Sequence, residues 1–319
     1  MRVLIVGCGS IGERHTRNLL SLGQEVLVFD KDPLKEEVLV NRYGVSVYDV
    51  KSHHLPIDAF VIATPPSFHI PFAMEALEHD SHIFIEKPIS HNLNGVDEVI
   101  SLAKEKGKVL QVGYQFRFHP GLKAVKSFLD SGKIGKVLSI RAEFGQYLPD
   151  WHPNEDYRKL YTCKTGIILD SSHEIDYVRW LASSEVTEVS CIYGKLSGLE
   201  MEAEDTAEII LRFENGVIGN IHVDCIQRTY TRWCKMIGER GTIIWDYPRN
   251  EVIVNEIPQY RRSKADMYVE EMQNFIRAIE GKEKPAVDGE TAKKVLEIAL
   301  IAKGGKECPG TLTTHCGMV

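Results

Sequence analysis

Apolar and polar positions divide the chain into two textures. The first begins with Val3-Leu-Ile-Val6, a continuous apolar run ending in glycine, which is the pattern of a parallel strand buried on both faces. A helical pattern follows from Ile11 to Ser21 and stops at Gly23. Glu25 to Phe29 predicts a second strand, ending at Asp30, and Ala59 to Ala63 a third, halted by Thr64-Pro65-Pro66. Ile70 to His79 reads as a helix, His82 to Ile85 as a strand, Asn94 to Lys106 as a helix and Val109 to Val112 as a strand. Strand and helix alternating at this interval predict right-handed βαβ units and a doubly wound parallel sheet. No internal repeat or low-complexity segment interrupts the pattern.

Beyond Phe116 the texture changes. A helix from Pro120 to Ser131 precedes Val137 to Tyr147, which alternates like a half-buried strand. Val186 to Tyr193, Thr206 to Phe213, Gly219 to Cys225, Lys235 to Ile237 and Gly241 to Trp245 do the same, and Asn215-Gly216 signals a hairpin. Consecutive strands of this kind predict a mainly antiparallel open sheet with one face wet or covered by a partner. Two helices, Ala265 to Ile279 and Gly289 to Ile301, close this region, and the unpatterned tail from Gly304 to Val319 predicts a loose terminus. The fold class is therefore α/β, with domains expected at 1–118 and 119–305 and a tail at 306–319.

A length of 319 residues suits two cores, and 43 % apolar with 26 % charged residues is a globular composition. The net charge of -7 argues against a nucleic-acid partner, which needs a basic stripe. No apolar run approaches the ~20 residues that cross a bilayer, so no membrane partner is expected, and Val3 to Val6 is too short for a secretory segment. The seven cysteines are scattered and lack a CxxC pair, which points to buried thiols in a reducing compartment, the cytoplasm. Neither they nor His53 and His54 show ligand spacing, so no metal is expected.

Gly7-Cys-Gly9-Ser-Ile-Gly12 is a GxGxxG fingerprint placed directly after a strand and directly before a helix. Gly7 makes the tight turn, Gly9 lets backbone approach a pyrophosphate, and Gly12 lets helix and strand pack closely. Asp30, at the end of the next strand, is placed to accept from both adenosine ribose hydroxyls and to repel a 2′-phosphate, which favours NAD over NADP, although Lys31 stands beside it. The same glycines also suit a turn that binds nothing. Thr64, Pro65 and His69 follow the third strand at a sheet carboxyl end, where open α/β sheets bind ligands, and His69 equally suits a structural helix start. Glu86-Lys87-Pro88 ends the next strand; Lys87 can relay protons there, or be a solvated loop lysine. Asp170, His173 and Asp176 are spaced to share one helix face, where two carboxylates would orient an imidazole; a helix cap with a satisfied histidine has the same pattern.

These segments, with Gly113-Tyr-Gln-Phe-Arg-Phe-His-Pro120, occur in an order that resembles the Gfo/Idh/MocA family, and the likeness runs as far as Phe275…Ala278-Ile279…Pro285. The resemblance implies a Rossmann domain holding NAD, with contacts from Gly7, Gly9, Ser10, Ile11, Gly12, Asp30, Thr64, Pro65, His69, Glu86, Lys87 and Gln115. It also implies a nicotinamide between the two domains, flanked by Lys87 and His173, either of which takes the hydroxyl proton as hydride leaves. Asp170 or Asp176 would orient His173. The chain departs from the family in having Leu169 where many members carry the carboxylate, in keeping only Gly166 of the usual glycine run, and in placing Gln115 at a frequent Asn. The segment Tyr147-Leu-Pro-Asp-Trp151-His-Pro…Asp156-Tyr-Arg158 is similar to that of members linked to surface-polysaccharide sugars.

Tyr147, Trp151, Arg158 and Tyr161 are candidates for a sugar-binding wall, or for loop packing, and Arg117 for an anion anchor or an ion pair. The expected activity is NAD-linked oxidation of a secondary hydroxyl on a sugar or cyclitol. An NAD-retaining glycoside hydrolase and a non-catalytic NAD-bound sensor are the alternatives. A second-domain sheet face left open would be covered in a homodimer or homotetramer.

Overall fold

The computed structural model describes residues 1–49, 56–151, 158, 161, 165–261, 266–304 and 313–318. They form two compact units, Met1–Phe118 with Asp266–Lys294, and His119–Ala265 with Val295–Val319.

The first unit alternates strand and helix in β1 (Arg2–Val6), α1 (Ser10–Ser21), β2 (Glu25–Phe29), α2 (Pro33–Tyr43), β3 (Ser46–Val47), β4 (Ala59–Ile62), α3 (His69–Glu78), β5 (His82–Glu86), α4 (Val96–Glu105) and β6 (Leu110–Gly113). All its strands are parallel, in the order β3-β2-β1-β4-β5-β6. The order reverses between β1 and β4, so the loops after these strands border the crevice where such sheets take ligands. The apolar runs are buried as their pattern requires, with Ile5, Val61 and Ile62 wholly enclosed. Helix α2 and the short β3 are additions to the expected elements, and Ala59–Ile62 is thus the fourth strand. The signals for α2 were local: the Asp32 carboxylate accepts from the Leu34 N–H at 3.1 Å, and Pro33 opens the first turn. Its apolar stripe is thin, with only Leu39 buried.

The segment 266–294, expected in the second domain, belongs to the first unit. Met272 and Phe275 of its helix join the cluster of Val3, Ile5, Leu19, Val28 and Phe84, and the rings of Phe84 and Phe275 meet edge to face at 5.6 Å. Amphipathic periodicity predicts the helix but does not say which core its apolar face enters.

The second unit contains α5 (Pro120–Asp130), β7 (Val137–Gly145), α6 (Leu148–Trp151), α7 (Ile167–Asp170), α8 (Ser172–Ala182), β8 (Val186–Gly194), β9 (Thr206–Phe213), β10 (Ile218–Asp224), β11 (Thr231–Gly238), β12 (Gly241–Asp246), β13 (Glu251–Val254) and β14 (Ile257–Arg261). Helix α9 (Met267–Ile279) is the helix of the 266–294 segment in the first unit, the division falls within α10 (Gly289–Ala302), and β15 (Thr313–Met318) completes the described elements. The sheet has nine strands in the order β14-β13-β12-β11-β7-β10-β9-β8-β15, mostly antiparallel, with β7–β10 and β8–β15 parallel. Strands β13 and β14 were not foreseen. The tail is not loose over Thr313–Met318, because backbone pairing to β8 orders a segment that has no apolar periodicity.

Alternation works as predicted in β9: Ala207, Ile209, Leu211 and Phe213 are buried, whereas Ile210 on the opposite face is exposed. Helix α8 packs on the inner face, against β7 and β10. On the outer face His222 bridges two carboxylates, with Nδ1 2.7 Å from Glu208 Oε1 and Nε2 3.0 Å from Asp224 Oδ2. The Asp224 hydrogen bond, followed by that of Glu208 and both charges, overcomes partial burial and raises the His222 pKa to about 9. Because the folded value lies above the unfolded value of about 6.5, the stabilisation is complete below pH 6.5 and fades as pH rises through 9. His222→Gln should therefore destabilise the chain more at pH 6 than at pH 9.5 in urea unfolding, and an equal loss at both would contradict the ion-paired imidazole.

Candidate active site

Strand β1 ends at Gly7, whose φ of +101° and close approach to the Ala63 carbonyl, 2.7 Å from where a Cβ would stand, both require glycine. A Cβ on Gly12 would overlap the Gly7 carbonyl oxygen, so α1 rests directly on the turn. Gly9 differs: nothing lies within 4 Å of its Cβ position. It caps α1 without a side-chain hydrogen bond, leaving the first-turn N–H groups and the positive helix end to an anion. Ser10 and Ile11 open that first turn. The turn thus fits a dinucleotide diphosphate.

Asp30 is lashed to this turn. Its Oδ2 accepts from the Cys8 N–H at 2.8 Å and its Oδ1 from the Asp32 N–H at 2.9 Å. A second carboxylate, unnoticed in the sequence, stands beside it: Glu36 Oε1 accepts from the Asp30 N–H at 2.8 Å. Burial, reinforced by the charges of Asp30 and Glu36, pushes the Cys8 thiol up to about 12, so it stays protonated.

His69 is fully buried, with Nδ1 2.9 Å from the Pro88 carbonyl and Nε2 2.7 Å from the Thr64 carbonyl. Burial lowers its pKa against the pull of those carbonyls. It bridges the loops after β4 and β5, so its ring nitrogens are engaged inside the protein. Pro65 is exposed in the same loop, and the Thr64 hydroxyl is buried with no partner in the protein, as a ligand-facing group would be.

At the end of β5 the Lys87–Pro88 peptide is cis. Glu86 Oε2 accepts from the Lys87 N–H at 3.2 Å, and Glu86 Oε1 lies 2.6 Å from Nε2 of His15, a buried residue of α1 that motif reading passed over. Burial works to raise the Glu86 carboxyl, but the hydrogen bond and charge of His15, aided by Lys87, hold it below the usual carboxylate range. Gln115 and Arg117 share the turn after β6, and Gln115 Nε2 donates to the Tyr268 hydroxyl at 3.1 Å. The Arg14 guanidinium covers the Tyr268 ring at 4.2 Å.

In the second unit the expected single helix from Asp170 is broken at Ser171 into α7 and α8. Asp170 thus ends α7, whereas His173 and Asp176, both buried, lie three residues apart on α8. Asp170 accepts a hydrogen bond from Tyr161, whose hydroxyl pKa is raised well above normal by burial and then by the Asp170 charge. Two residues absent from the sequence reading brace the approach. The Glu204 carboxylate occupies the Cβ position of Gly166 and accepts from the Ile168 N–H at 3.2 Å, while Lys303 Nζ lies 3.2 Å from its other oxygen. Glu174 is fully buried, 3.0 Å from the Arg232 Nε. The Ser171 and Ser172 hydroxyls are buried with no partner in the protein.

The substrate-wall candidates have partners within the protein. Trp151 packs edge to face on Phe144 at 5.5 Å, the Tyr147 ring lies 3.5 Å under the Arg228 guanidinium, and Arg158 is exposed and pairs with Glu200 at 3.1 Å. Residues 152–157, with His53 and His54, lie outside the described residues. Among the described residues no group of His, Cys, Asp and Glu could hold a metal ion, and no helix is long and apolar enough to cross a membrane.

Residues 1–114 match the NAD-binding Rossmann fold of an oxidoreductase family, and residues 122–244 match the GFO/IDH/MocA C-terminal domain. The chain is 29 % identical to the myo-inositol 2-dehydrogenase of Thermotoga maritima, over 96 % of each chain. It is 28 % identical to the NAD-linked scyllo-inositol 2-dehydrogenase of Bacillus subtilis, over 95 % of this chain and 93 % of that one. In fold it resembles the UDP-N-acetylglucosamine 3-dehydrogenase of Acidithiobacillus ferrooxidans, with a TM-score of 0.83 at 22 % identity over 95 % and 97 % of the two chains.

The glycines separate folding from binding. Gly9→Ala should keep the thermal midpoint and weaken NADH binding about tenfold or more by crowding the diphosphate. Gly12→Ala should lower the midpoint itself. Thermal melts with NADH fluorescence titration check both, and unchanged NADH affinity in Gly9→Ala would remove the diphosphate from this turn.

Proposed function

This chain belongs to the GFO/IDH/MocA family of oxidoreductases, and we propose that it transfers hydride between NAD and a secondary hydroxyl or keto group of a sugar or cyclitol. The observation that carries this reading is Lys87, held through its own backbone by Glu86 at the carboxyl end of β5, in the unit that carries the dinucleotide turn.

When bound, nicotinamide supplies the hydride acceptor. The chain must then remove the hydroxyl proton, and Lys87 and His173 are the groups assigned to that work. Asp176 lies three residues beyond His173 on α8 and is the carboxylate we assign to orient the imidazole. Asp170, held by Tyr161, acts at the turn before α8. The relatives named inositol dehydrogenases support a cyclitol as first choice of substrate, and a sugar as second.

Asp30 and Glu36 favour NAD over NADP, because a 2′-phosphate would meet two carboxylates beside the fingerprint. The exposed apolar residues Leu138, Ile192 and Ile210 on the second unit's sheet support a homodimer or homotetramer. The buried free thiols Cys8, Cys225 and Cys234 support a cytoplasmic location.

Absorbance at 340 nm with NAD and a panel of inositols, sugars and sugar nucleotides should reveal turnover; none on any of them would overturn the reading. With the substrate so found, Lys87→Met and His173→Ala should each lower kcat by about 10²-fold or more while NADH affinity holds. Near wild-type kcat in either variant would remove that residue from proton transfer. Asp30→Ala should reduce the ratio of NAD to NADP affinity about tenfold, the worth of one charge-assisted hydrogen bond, and Glu36→Gln should move the ratio in the same direction. Calorimetric titration with both cofactors checks this.

A further inference from the structure

His15 is the one buried histidine of α1, and nothing in diphosphate binding calls for it. It follows Gly12 by three residues, on the face that also buries Leu19. Because Gly12 seats α1 directly on the Gly7 turn, that face lies against the sheet. The imidazole is wholly buried, its edge meets the Phe84 ring at 5.3 Å, and Phe84 is backed by Phe275 at 5.6 Å. Packing therefore fixes the ring.

Its single polar contact is with Glu86, 2.6 Å from Nε2, while Nδ1 is buried with no partner. A carboxylate accepts, so Nε2 carries the hydrogen and donates. Glu86 is constrained from the other side as well. Its Oε2 accepts from the Lys87 N–H, and its carboxyl carbon and Oε2 each lie 3.2 Å from where a Cβ of Gly113 would stand. No side chain fits there without displacing the carboxylate. Imidazole, carboxylate and the Lys87 peptide thus form one series of contacts between α1 and the end of β5.

A largely enclosed carboxylate that loses its donor must turn toward water or take a proton, since an unpaired buried charge is costly. Either response would free the Lys87 N–H and change the charge beside the ammonium. We propose that His15 is a positioning residue for Lys87, acting through Glu86. It holds the carboxylate that fixes the backbone from which the Lys87 ammonium projects. The catalytic meaning rests on Lys87 being the acid–base group of the proposed function; the coupling itself does not.

The test needs no substrate. The full chain is labelled with trace acetic anhydride at one pH, and acetylation of Lys87 is read by peptide mass spectrometry against exposed Lys104 in the same molecules. His15→Leu keeps the volume but removes the donor, and should change Lys87 labelling about threefold or more relative to Lys104 by altering its charge environment and access. NADH affinity should stay within about threefold, because the first-turn N–H groups are untouched. His15→Gln, which restores an N–H of similar reach, should bring the labelling back. Unchanged Lys87 labelling in His15→Leu, or a change that His15→Gln does not reverse, would overturn the proposal, and a lowered thermal midpoint alone would mark His15 as packing only. If His15→Leu does not fold, His15→Asn, too short to reach Glu86, takes its place with the same outcomes. Retained turnover in Lys87→Met together with altered labelling in His15→Leu would sink the role of Lys87 and leave the coupling standing.

Discussion

The first unit depends on one close approach, that of α1 to the turn leaving β1, where Gly12 meets the Gly7 carbonyl with no room for a methyl group. The approach aims the uncapped helix N-terminus along the carboxyl edge of the sheet and, by the same rigid seating, presses His15 against Phe84 and Glu86. An anion-binding end and a buried imidazole three residues later are consequences of one packing distance. A bulkier residue at Gly12 would therefore disturb both the cofactor turn and the support of Lys87.

A second theme is the handling of buried carboxylates. Glu86 is met by His15, Glu174 by Arg232, Glu204 by Lys303, and Asp170 by the Tyr161 hydroxyl. Each partner comes from a different element. Pairs of this kind add little net stability, since desolvation offsets most of the attraction, but removing one partner leaves a charge that the interior cannot solvate. Each pair therefore ties together segments that are distant in the chain. His69 sits between the loops after β4 and β5, a ring nitrogen facing a carbonyl of each, and as a neutral imidazole donates to one of them.

Much of this molecule is legible from one residue to the next. Continuous apolar runs identified β1 and β4, alternation identified β9, and Asn215-Gly216 marked its hairpin to β10, because side-chain period and turn chemistry are local properties of the backbone. The glycine fingerprint, Asp30 and Lys87 were legible for the same reason, since each sits where a strand ends. Helix α2 was also locally marked, by Asp32 and Pro33, but its weak apolar stripe hid it.

What tertiary structure alone decided are the relations across long stretches of chain. His15 and Glu86 are 71 residues apart, and Ile168 and Glu204 are 36 apart, and no periodicity joins such pairs. Spacing by threes suggested one helix through Asp170, His173 and Asp176, yet the helix is interrupted at Ser171 between α7 and α8. The return of 266–294 to the first unit and the pairing of Thr313–Met318 with β8 follow the same rule. Sequence determines which faces are apolar and which backbone turns are allowed; which core an apolar face enters, and which distant group meets a buried charge, is settled when the whole chain packs.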